Sequence, residues 1–310
     1  MFLRPLHLIP PDTKIDFVAK RWWAFSVTII LVLITVVALC VKGLNLGIDF
    51  KGGILIEAKA PQIVDMATLR NDLSTLNLGE VSLQQFGAPT DVLIRIQRQE
   101  GDETAQMKAI QSVRDKLGTT YEYRRVEVVG PTVGTELLHA GILATVLAML
   151  AISIYVGVRF EWQFGLAALI ATFHDVLTTV GLYAVLQLDF NLTAVAALLT
   201  LAGYSINDTV VVFDRIRETL RRQKATALRV IINDSVNQTL SRTTMTAGTT
   251  LLALLPLVFM GGPTLINFSA ALTWGILVGT YSSIYVAAAL LLYMPPLRGV
   301  DKKPLQQGSR

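Results

Sequence analysis

The sequence predicts a polytopic α-helical membrane protein with six transmembrane helices and one external α+β domain between the first and the second of them. Three observations support this fold class. Of the 310 residues, 52% are apolar and only 16% are charged, which is a low share of charge for a soluble protein. The apolar residues fall into runs of about 20 residues, the length that crosses a bilayer. The segment from Gly43 to Thr135, by contrast, has the composition of an ordinary soluble domain.

The net charge of +4 does not indicate a nucleic-acid partner. Between Gly43 and Thr135 there are 10 Lys and Arg residues against 12 Asp and Glu residues, so the external segment is slightly acidic. The excess of positive charge lies beside the apolar runs, where it sets the orientation of the chain in the membrane. The single cysteine, Cys40, lies in the first apolar run and allows neither a disulfide within the chain nor a cysteine metal site. We therefore expect no nucleic acid, no metal and no cofactor.

Residues 1–42 are predicted to be a basic lead followed by the first span, from Trp22 to Val41. The lead is long and is broken by Pro10 and Pro11, and no small-residue cleavage site follows Cys40. These features are not typical of a signal peptide, so we expect an uncleaved first helix.

Residues 43–135 are predicted to form the external domain. Strands are expected where apolar residues alternate or form short runs, and helices where they recur every three or four positions. The predicted order is β-α-β-β-α-β, the ferredoxin-like arrangement, with a four-stranded sheet and both helices on one face. The elements in order are Ile54–Ala60, Val64–Leu76, Val81–Phe86, Val92–Gln97, Glu103–Leu117 and Tyr121–Val129.

Residues 136–296 are predicted to be a bundle of five further spans, and residues 297–310 a basic tail. A loop of mixed charge is expected from Asp214 to Ser241, between the fourth and fifth spans. The predicted spans are Leu137–Val158, Phe164–Leu186, Leu192–Phe213, Thr243–Met260 and Phe268–Met294.

The distribution of positive charge predicts the orientation. Lys and Arg residues are concentrated in the lead, the loop from Asp214 to Ser241 and the tail, whereas the two short turns on the opposite side have none. By the positive-inside rule, both termini are expected in the cytoplasm and the domain outside it.

Asp208 is the first candidate functional residue. It lies in the fourth apolar run, about two helical turns before the arginines that follow this run. A carboxyl group at that depth is costly and indicates function by default. Arg242, near the start of the fifth span, is the best candidate partner. Burial and a nearby guanidinium shift a carboxyl in opposite directions, so the pair could load and release a proton. The alternatives are an inert, hydrated Asp208 and an Arg242 that merely extends its side chain to the membrane surface.

His174 and Asp175 are the second candidate site, near the middle of the third span. A histidine beside a carboxylate at that depth could extend a proton path or contact a partner subunit. A helix–helix hydrogen bond with a purely structural role is an equal alternative.

Several short motifs resemble those of the SecF family, the smaller partner in the bacterial SecD–SecF protein-export complex. They occur in the family's order along nearly the whole chain. Besides His174-Asp175, they include the segments 128–134, 160–162, 214–218, 241–243 and 261–263. The signature residues are Asp49, Phe50, Gly52, Gly53, Gly203, Tyr204, Ser205 and Asn207.

The resemblance implies a non-enzymatic, proton-driven function. In the resistance–nodulation–division superfamily, six spans are half of a twelve-span unit, and a SecD-like subunit would supply the other half. The implied role is to use the proton-motive force, with protons as the coupling ion, to pull preproteins forward on the outer face of the bacterial inner membrane after the SecYEG channel. In that family the residues matching Asp208 and Arg242 belong to the proton path.

Three other functions are weighed against this one. Half of a small-molecule or lipid exporter would need larger outer domains, and a passive translocon scaffold would not need Asp208. An intramembrane enzyme is unsupported, because no catalytic signature is present. The basic loop after the fourth span is mainly a topology anchor, with contact to anionic lipid as the alternative.

Overall fold

The computed structural model describes residues 10, 13–79, 81–85 and 87–295. The first residues of the lead, Phe86 at the end of the second predicted strand, Pro296 and the tail 297–310 lie outside the described residues. Within the described residues, six helices are long and apolar enough to cross a membrane. The predicted six-span architecture is therefore confirmed.

The elements follow the predicted order. Five of the six spans are single helices, whereas the last is a composite of α9, a π-helix (Ser282–Ala287), α10 and a 3₁₀ turn (Leu291–Tyr293). The elements are α1 (Arg21–Val41), α2 (Ile48–Lys51), β1 (Gly53–Lys59), α3 (Met66–Ser74), β2 (Val81–Gln85), β3 (Asp91–Ile96), α4 (Glu103–Leu117), β4 (Glu122–Val129), α5 (Pro131–Arg159), α6 (Trp162–Leu186), α7 (Leu192–Arg222), α8 (Leu228–Met260), α9 (Gly262–Tyr281) and α10 (Ala288–Leu290).

The spans divide into a central and a peripheral set. In the most apolar stretch of each helix, 50–67% of the residues are buried in α6, α7 and the last span, but only 11–17% in α1, α5 and α8. The peripheral helices thus keep broad apolar faces that this chain does not cover, as expected for surfaces that meet lipid or another membrane subunit.

The external domain is a four-stranded antiparallel sheet with strand order β2-β3-β1-β4. Leu73 of α3 and Val113 of α4 share one buried cluster with Ile56 and Ile94 of the two central strands. Both helices therefore pack on the same face of the sheet, which agrees with the predicted ferredoxin-like arrangement.

The other face of the sheet turns toward the membrane bundle. There, Leu55 and Leu93 pack against Ile48 of α2. Gly52 and Gly53 turn the chain from α2 into β1 with φ angles of +73° and +127°, a backbone region in which a side chain is strained. The two glycines thus make the sharp turn between the membrane bundle and the sheet.

The predicted loop from Asp214 to Ser241 is wrong. Helix α7 continues to Arg222 and α8 begins at Leu228, so the two helices extend beyond their apolar runs. The physical reason is burial at helical spacing: Ile216 of α7 and Ile232 of α8 lie in one core cluster, and such packing stabilises a charged helix.

The described part of the lead completes this cluster at the end of the bundle formed by the α7–α8 extension. Phe17 and Val18 are 5% and 2% exposed and lie in the same core as the α7–α8 extension. Asn233 and Asn237 of α8 accept hydrogen bonds from the backbone amides of Phe17 and Ile15 at 2.8 and 2.9 Å. The lead is therefore fastened along α8 rather than trailing from the first span.

Candidate functional site

Helix α7 places Asp208 in the interior of the bundle. Asn191 caps its N-terminus, because the Asn191 side chain accepts from the amide of Ala194 at 3.0 Å. Leu201, Ser205 and Asp208 follow one another at spacings of four and three residues on the buried stripe of this helix. The polar side chains of the stripe thus replace core positions, as a functional site in a membrane helix would.

The Asp208 carboxyl group is buried but weakly bonded. Its side chain is 3% exposed, and its Oδ1 atom accepts one hydrogen bond, from the Thr246 hydroxyl of α8 at 3.4 Å. That hydroxyl also lies 2.9 Å from the carbonyl of Thr243, and one proton cannot serve both acceptors fully. The Oδ2 atom has no hydrogen-bond partner among the described residues. The carboxyl group can therefore take up a proton or accept a further donor.

The predicted direct pair between Asp208 and Arg242 is not formed. Among the ion pairs of the described residues, none joins a guanidinium nitrogen of Arg242 to a carboxylate oxygen of Asp208 within 4.0 Å. The Arg242 residue is exposed. Instead, Arg242 lies one helical turn before Thr246, whose hydroxyl is 3.1 Å from the Arg242 carbonyl. The physical reason is that a long, charged side chain gains hydration by extending outward, whereas the short threonine can stay inside. Thr246 thus occupies the place predicted for the guanidinium.

Asp175, in contrast, is fully bonded. The residue is buried to 0% exposure. Its Oδ1 atom is 3.0 Å from His174 Nδ1. Its Oδ2 atom accepts from Ser205 at 2.5 Å and from Ser282 at 2.7 Å. Asp175 therefore joins α6, α7 and the last span, and the helix–helix hydrogen bond offered as one alternative is present. Its place in a proton path stays a prediction, as does that of His174, whose Nε2 atom is buried and unpartnered among the described residues.

The last span reaches this junction through its π-helix. Ser282 is the first residue of that segment, and the next residue, Ser283, is 2.8 Å from the Thr209 hydroxyl of α7. Single turns of π-helix inside longer helices often mark functional sites. Because Ser205 and Asp208 are one turn apart on α7, the junction and the weakly bonded carboxyl group lie next to each other along one helix.

The other signature residues of α7 divide between two faces. Gly203 and Asn207 are exposed, whereas Tyr204 is half-buried with its hydroxyl 3.4 Å from Thr250 of α8. No atom lies within 4 Å of the position that a Cβ atom of Gly203 would take. The motif thus supplies buried contacts on one side and an open, small-residue face on the other.

The signature residues Asp49 and Phe50, in α2 between the first span and the sheet, hold the external domain to the start of α7. The Asp49 carboxylate accepts from the amide of Leu192, the first residue of α7, at 2.9 Å. The Phe50 ring lies 5.9 Å from that of Phe190 in the α6–α7 turn. Asp189 of the same turn forms an ion pair with Arg95 of β3. Both side chains of this pair are largely buried.

Sequence reasoning did not identify Thr246, Ser282, Ser283, Arg95 or Asp189. Thr246 carried a usable signal, since it lies four residues after Arg242 on the predicted helix and shares its face. Ser282 and Ser283 had none, because the α-to-π change that places them is invisible in the residue pattern. For Arg95 and Asp189, the partner lies 94 residues away, a separation that local patterns do not read.

No group of three or more His, Cys, Asp or Glu side chains that could hold a metal ion occurs within the described ranges. The functional groups described above are two carboxyl groups, several hydroxyls and an imidazole.

Comparison with known proteins identifies the family. Residues 109–296 match the family model of the C-terminal part of protein export membrane proteins SecD/SecF, and residues 37–60 match that of the SecD/SecF GG motif. The chain is 44% identical to protein translocase subunit SecF of Rickettsia prowazekii, over 99% of both chains. It is 43% identical to the SecF of Rhodobacter capsulatus, over 96% of this chain and 94% of that one.

Solved structures agree. The crystal structure of SecDF, a translocon-associated membrane protein from Thermus thermophilus, superposes with a TM-score of 0.83 at 36% identity, over 93% of this chain. SecDF in the super-membrane-facing form gives a TM-score of 0.67 at 35% identity over the same share. The chain spans 39% of the length of each SecDF chain. It belongs to the SecF family of protein translocase subunits and is a multi-pass membrane protein.

Proposed function

We propose that this chain uses the proton-motive force, together with a SecD-like subunit, to drive the late stage of preprotein translocation. The observation that carries the proposal is Asp208: a carboxyl group, 3% exposed in the fourth span, with one weak hydrogen bond and one unpartnered oxygen. A merely structural carboxylate would be bonded as Asp175 is. A group that must bind and release a proton needs free acceptor capacity instead.

Proton transfer at Asp208 would act on α7 and α8. The ionised carboxylate draws the Thr246 hydroxyl and attracts the Arg242 guanidinium one turn away, whereas the neutral form releases both. Because an uncompensated buried charge is expensive, the two helices would rearrange as the proton arrives and leaves. One elementary charge that crosses 100 mV supplies about 2.3 kcal/mol, enough to bias two states of a hinged external domain.

A SecD-like subunit is the partner that the open surfaces fit. One relative of known structure is a SecDF chain of which this chain spans 39%, which leaves room for another six-helix half. Gly203 and Asn207 lie four residues apart on the open face of α7, a spacing that favours close helix approach. Arg242 is exposed on the neighbouring α8. A helix of the second half seated here would seal Asp208 and offer Arg242 a partner.

The proposed location is the bacterial cytoplasmic membrane, with both termini inside and the ferredoxin-like domain in the periplasm. The supporting observation is the charge distribution: the extension formed by α7 and α8 carries Arg215, Arg217, Arg221, Arg222 and Arg229, and a basic segment of this kind stays on the cytoplasmic side. Anionic lipid is a further expected contact of the same extension.

The remaining proposed partners are the SecYEG channel and preproteins emerging from it. The external domain would meet the preprotein on the outer face, and no enzymatic step or cofactor is proposed, since the driving ion is the proton itself. The exporter alternative is less well supported, because the external domain is one small sheet with two helices and offers little room for a drug or lipid channel.

The test is the Asp208→Asn variant in membrane vesicles that hold the chain, its SecD-like partner and the SecYEG channel. We expect the variant to assemble normally and to lose the stimulation of late translocation by a proton gradient, because an amide cannot carry the proton. Asp208→Glu should retain part of the stimulation. Asp234→Asn, which changes a half-buried acid on α8, is the matched control and should behave as wild type. Normal gradient-dependent translocation by assembled Asp208→Asn would contradict the proposal and favour a passive scaffold.

A further inference from the structure

The external domain is attached to the membrane bundle around one turn, residues 187–191 between α6 and α7. The segment before α2 pairs with this turn through its backbone: Gly47 N donates to Phe190 O, and Phe190 N donates to Asn45 O, both at 2.8 Å. Asn45 also donates through its side chain to Asp189 at 2.9 Å. The turn thus forms a short parallel β-bridge, between Phe190 and Leu46, with the segment that leads into the external domain.

The first polar attachment is at the N-terminus of α7. Asp49 Oδ2 accepts from the Leu192 amide at 2.9 Å, one of the amides that a helix leaves without an internal partner. A carboxylate is favoured there, because the helix dipole places positive potential at its N-terminus. Asp49 belongs to α2, which leads directly into β1, so this cap comes from the external domain and not from the bundle.

The second polar attachment comes from the sheet itself. Arg95 lies on β3, on the face of the sheet that turns toward the membrane bundle, and pairs with Asp189. The two side chains are 17% and 11% exposed. Burial lowers the pKa of Arg95 below its ordinary value, which indicates a desolvation cost that the facing carboxylate offsets. Because a buried charge without its partner is expensive, this pair fixes the position of the sheet over the turn.

Packing leaves little slack between these attachments. A Cβ atom on Gly134, at the start of α5, would lie 2.6 Å from the Phe50 carbonyl oxygen, and Phe190 contacts the rings of both Phe50 and Tyr183. Because the side chains between α7 and the external domain are closely packed, a displacement of α7 is transmitted to the domain.

We propose that Asp49 and the Arg95–Asp189 pair form a clasp through which α7 moves the external domain. Leu192 and Asp208 lie on the same helix, about 24 Å apart at the rise of an α-helix. A shift or rotation of α7 at Asp208 is thus delivered at its capped end to α2 and β3. The inference rests on the proposed function and assigns these three side chains as positioning residues in its mechanical step.

The test measures both the attachment and its consequence in the complex with the SecD-like partner. A Cys40→Ser background carries spin labels at Met107 on α4 and Phe259 on α8, both exposed, so that a label-to-label distance reports the position of the domain over the bundle. The variants are Asp49→Ala, Arg95→Asp, Asp189→Arg and the double exchange Arg95→Asp with Asp189→Arg. Asp65→Ala is the matched control: Asp65 caps α3 through the Ala67 amide at 3.0 Å, inside the external domain and on a helix that carries no label.

The expected result is a narrow distance distribution in the wild type that shifts when a proton gradient is applied. Asp49→Ala and each single charge variant should broaden it, abolish the shift and reduce gradient-stimulated translocation about fivefold or more, as expected for a lost cap or buried pair. The double exchange should restore both readouts to within about twofold, since it re-forms the pair, and Asp65→Ala should leave both unchanged.

Two results would overturn the clasp. One is an unbroadened distribution in Asp49→Ala and in the single charge variants; the other is a broadened distribution with normal stimulated translocation. Both differ from failure of the proposed function, which shows itself as normal translocation in Asp208→Asn whatever the domain distance. A failure of the double exchange to restore either readout would likewise remove Arg95 and Asp189 from the mechanism.

Discussion

At the scale of single residues, the site contains two buried carboxyl groups in contrasting surroundings. Asp175 is bonded by His174, Ser205 and Ser282, whereas Asp208 has only the shared Thr246 hydroxyl. The two carboxyl groups, one on α6 and one on α7, thus differ in their capacity to accept further hydrogen bonds. This contrast distinguishes Asp175, which links three helices, from Asp208, which has an oxygen available to bind a proton.

The role of Asp175 predicts a stability effect. Asp175→Ala removes the acceptor of two buried hydroxyls and one imidazole, so we expect a loss of about 3 kcal/mol or more in the free energy of unfolding. Asp175→Asn keeps an acceptor and should cost much less. Thermal unfolding of the detergent-solubilised complex measures both. Equal stability of the Ala variant and the wild type would show that the junction does not hold the helices.

Thr246 predicts an effect on transport rather than on stability. Thr246→Val keeps the shape of the side chain but removes the hydroxyl that reaches Asp208, worth about 0.5–1.5 kcal/mol. Gradient-stimulated translocation should fall, and Thr246→Ser should restore most of it. The initial rate in vesicles at a fixed gradient is the measurement. A fully active Val variant would mean that Asp208 works without this hydroxyl.

At the scale of elements, the lead and the α7–α8 extension behave as one packed unit. Phe17→Ala should detach the lead, because loss of a buried phenyl ring costs about 3–5 kcal/mol. Hydrogen exchange at residues 13–20 should then rise. Ile15→Ala is the control, since Ile15 is 36% exposed in the same segment. Unchanged exchange in Phe17→Ala would contradict docking of the lead.

The helices of the external domain predict a response to acid. Hydrogen bonds from Thr68 and from Thr104 lower the pKa of Asp65 and of Asp102, the caps of α3 and α4, below the ordinary value of 3.8. Because these pKa values are lower in the folded state, the ionised carboxylates stabilise the fold fully when the pH is above the ordinary pKa. This contribution is lost as the pH falls through the folded pKa. The first turns of α3 and α4 should therefore fray below about pH 3.8. Amide exchange across a pH series checks this, with Asp102→Asn expected to flatten the response of α4.

The sequence predicted the strands, and the apolar part of each span, to within a few residues, because hydrophobic periodicity reports burial directly. It missed the continuation of α7 to Arg222, where isolated apolar positions such as Ile216 and Leu220 among arginines were read as a loop. It also placed Arg242 against Asp208. Side-chain rotamers and hydration determine which side chain lies beside the Asp208 carboxyl group, and the spacing of residues in the sequence reports neither. The clasp required knowing that β3 lies over the α6–α7 turn, a long-range fact.

At the scale of the whole molecule, the architecture is a path from the membrane interior to an external sheet. Of the helices richest in buried residues, α6 and α7 hold the two carboxyl groups, and the last span supplies Ser282. The sparsely buried helices leave faces open for a second half. The clasp then joins the end of α7 to the external domain. Each part is needed if proton movement is to become motion outside the membrane.

Proton flux through the assembled complex tests the central claim most directly. The chain and its SecD-like partner would be reconstituted in vesicles with an internal pH dye, and an imposed gradient would drive protons across. We predict that Asp208→Asn reduces this flux to the level of empty vesicles, while Asp234→Asn retains it. Flux in Asp208→Asn equal to that of the wild type, in a complex shown to be assembled, would contradict the account.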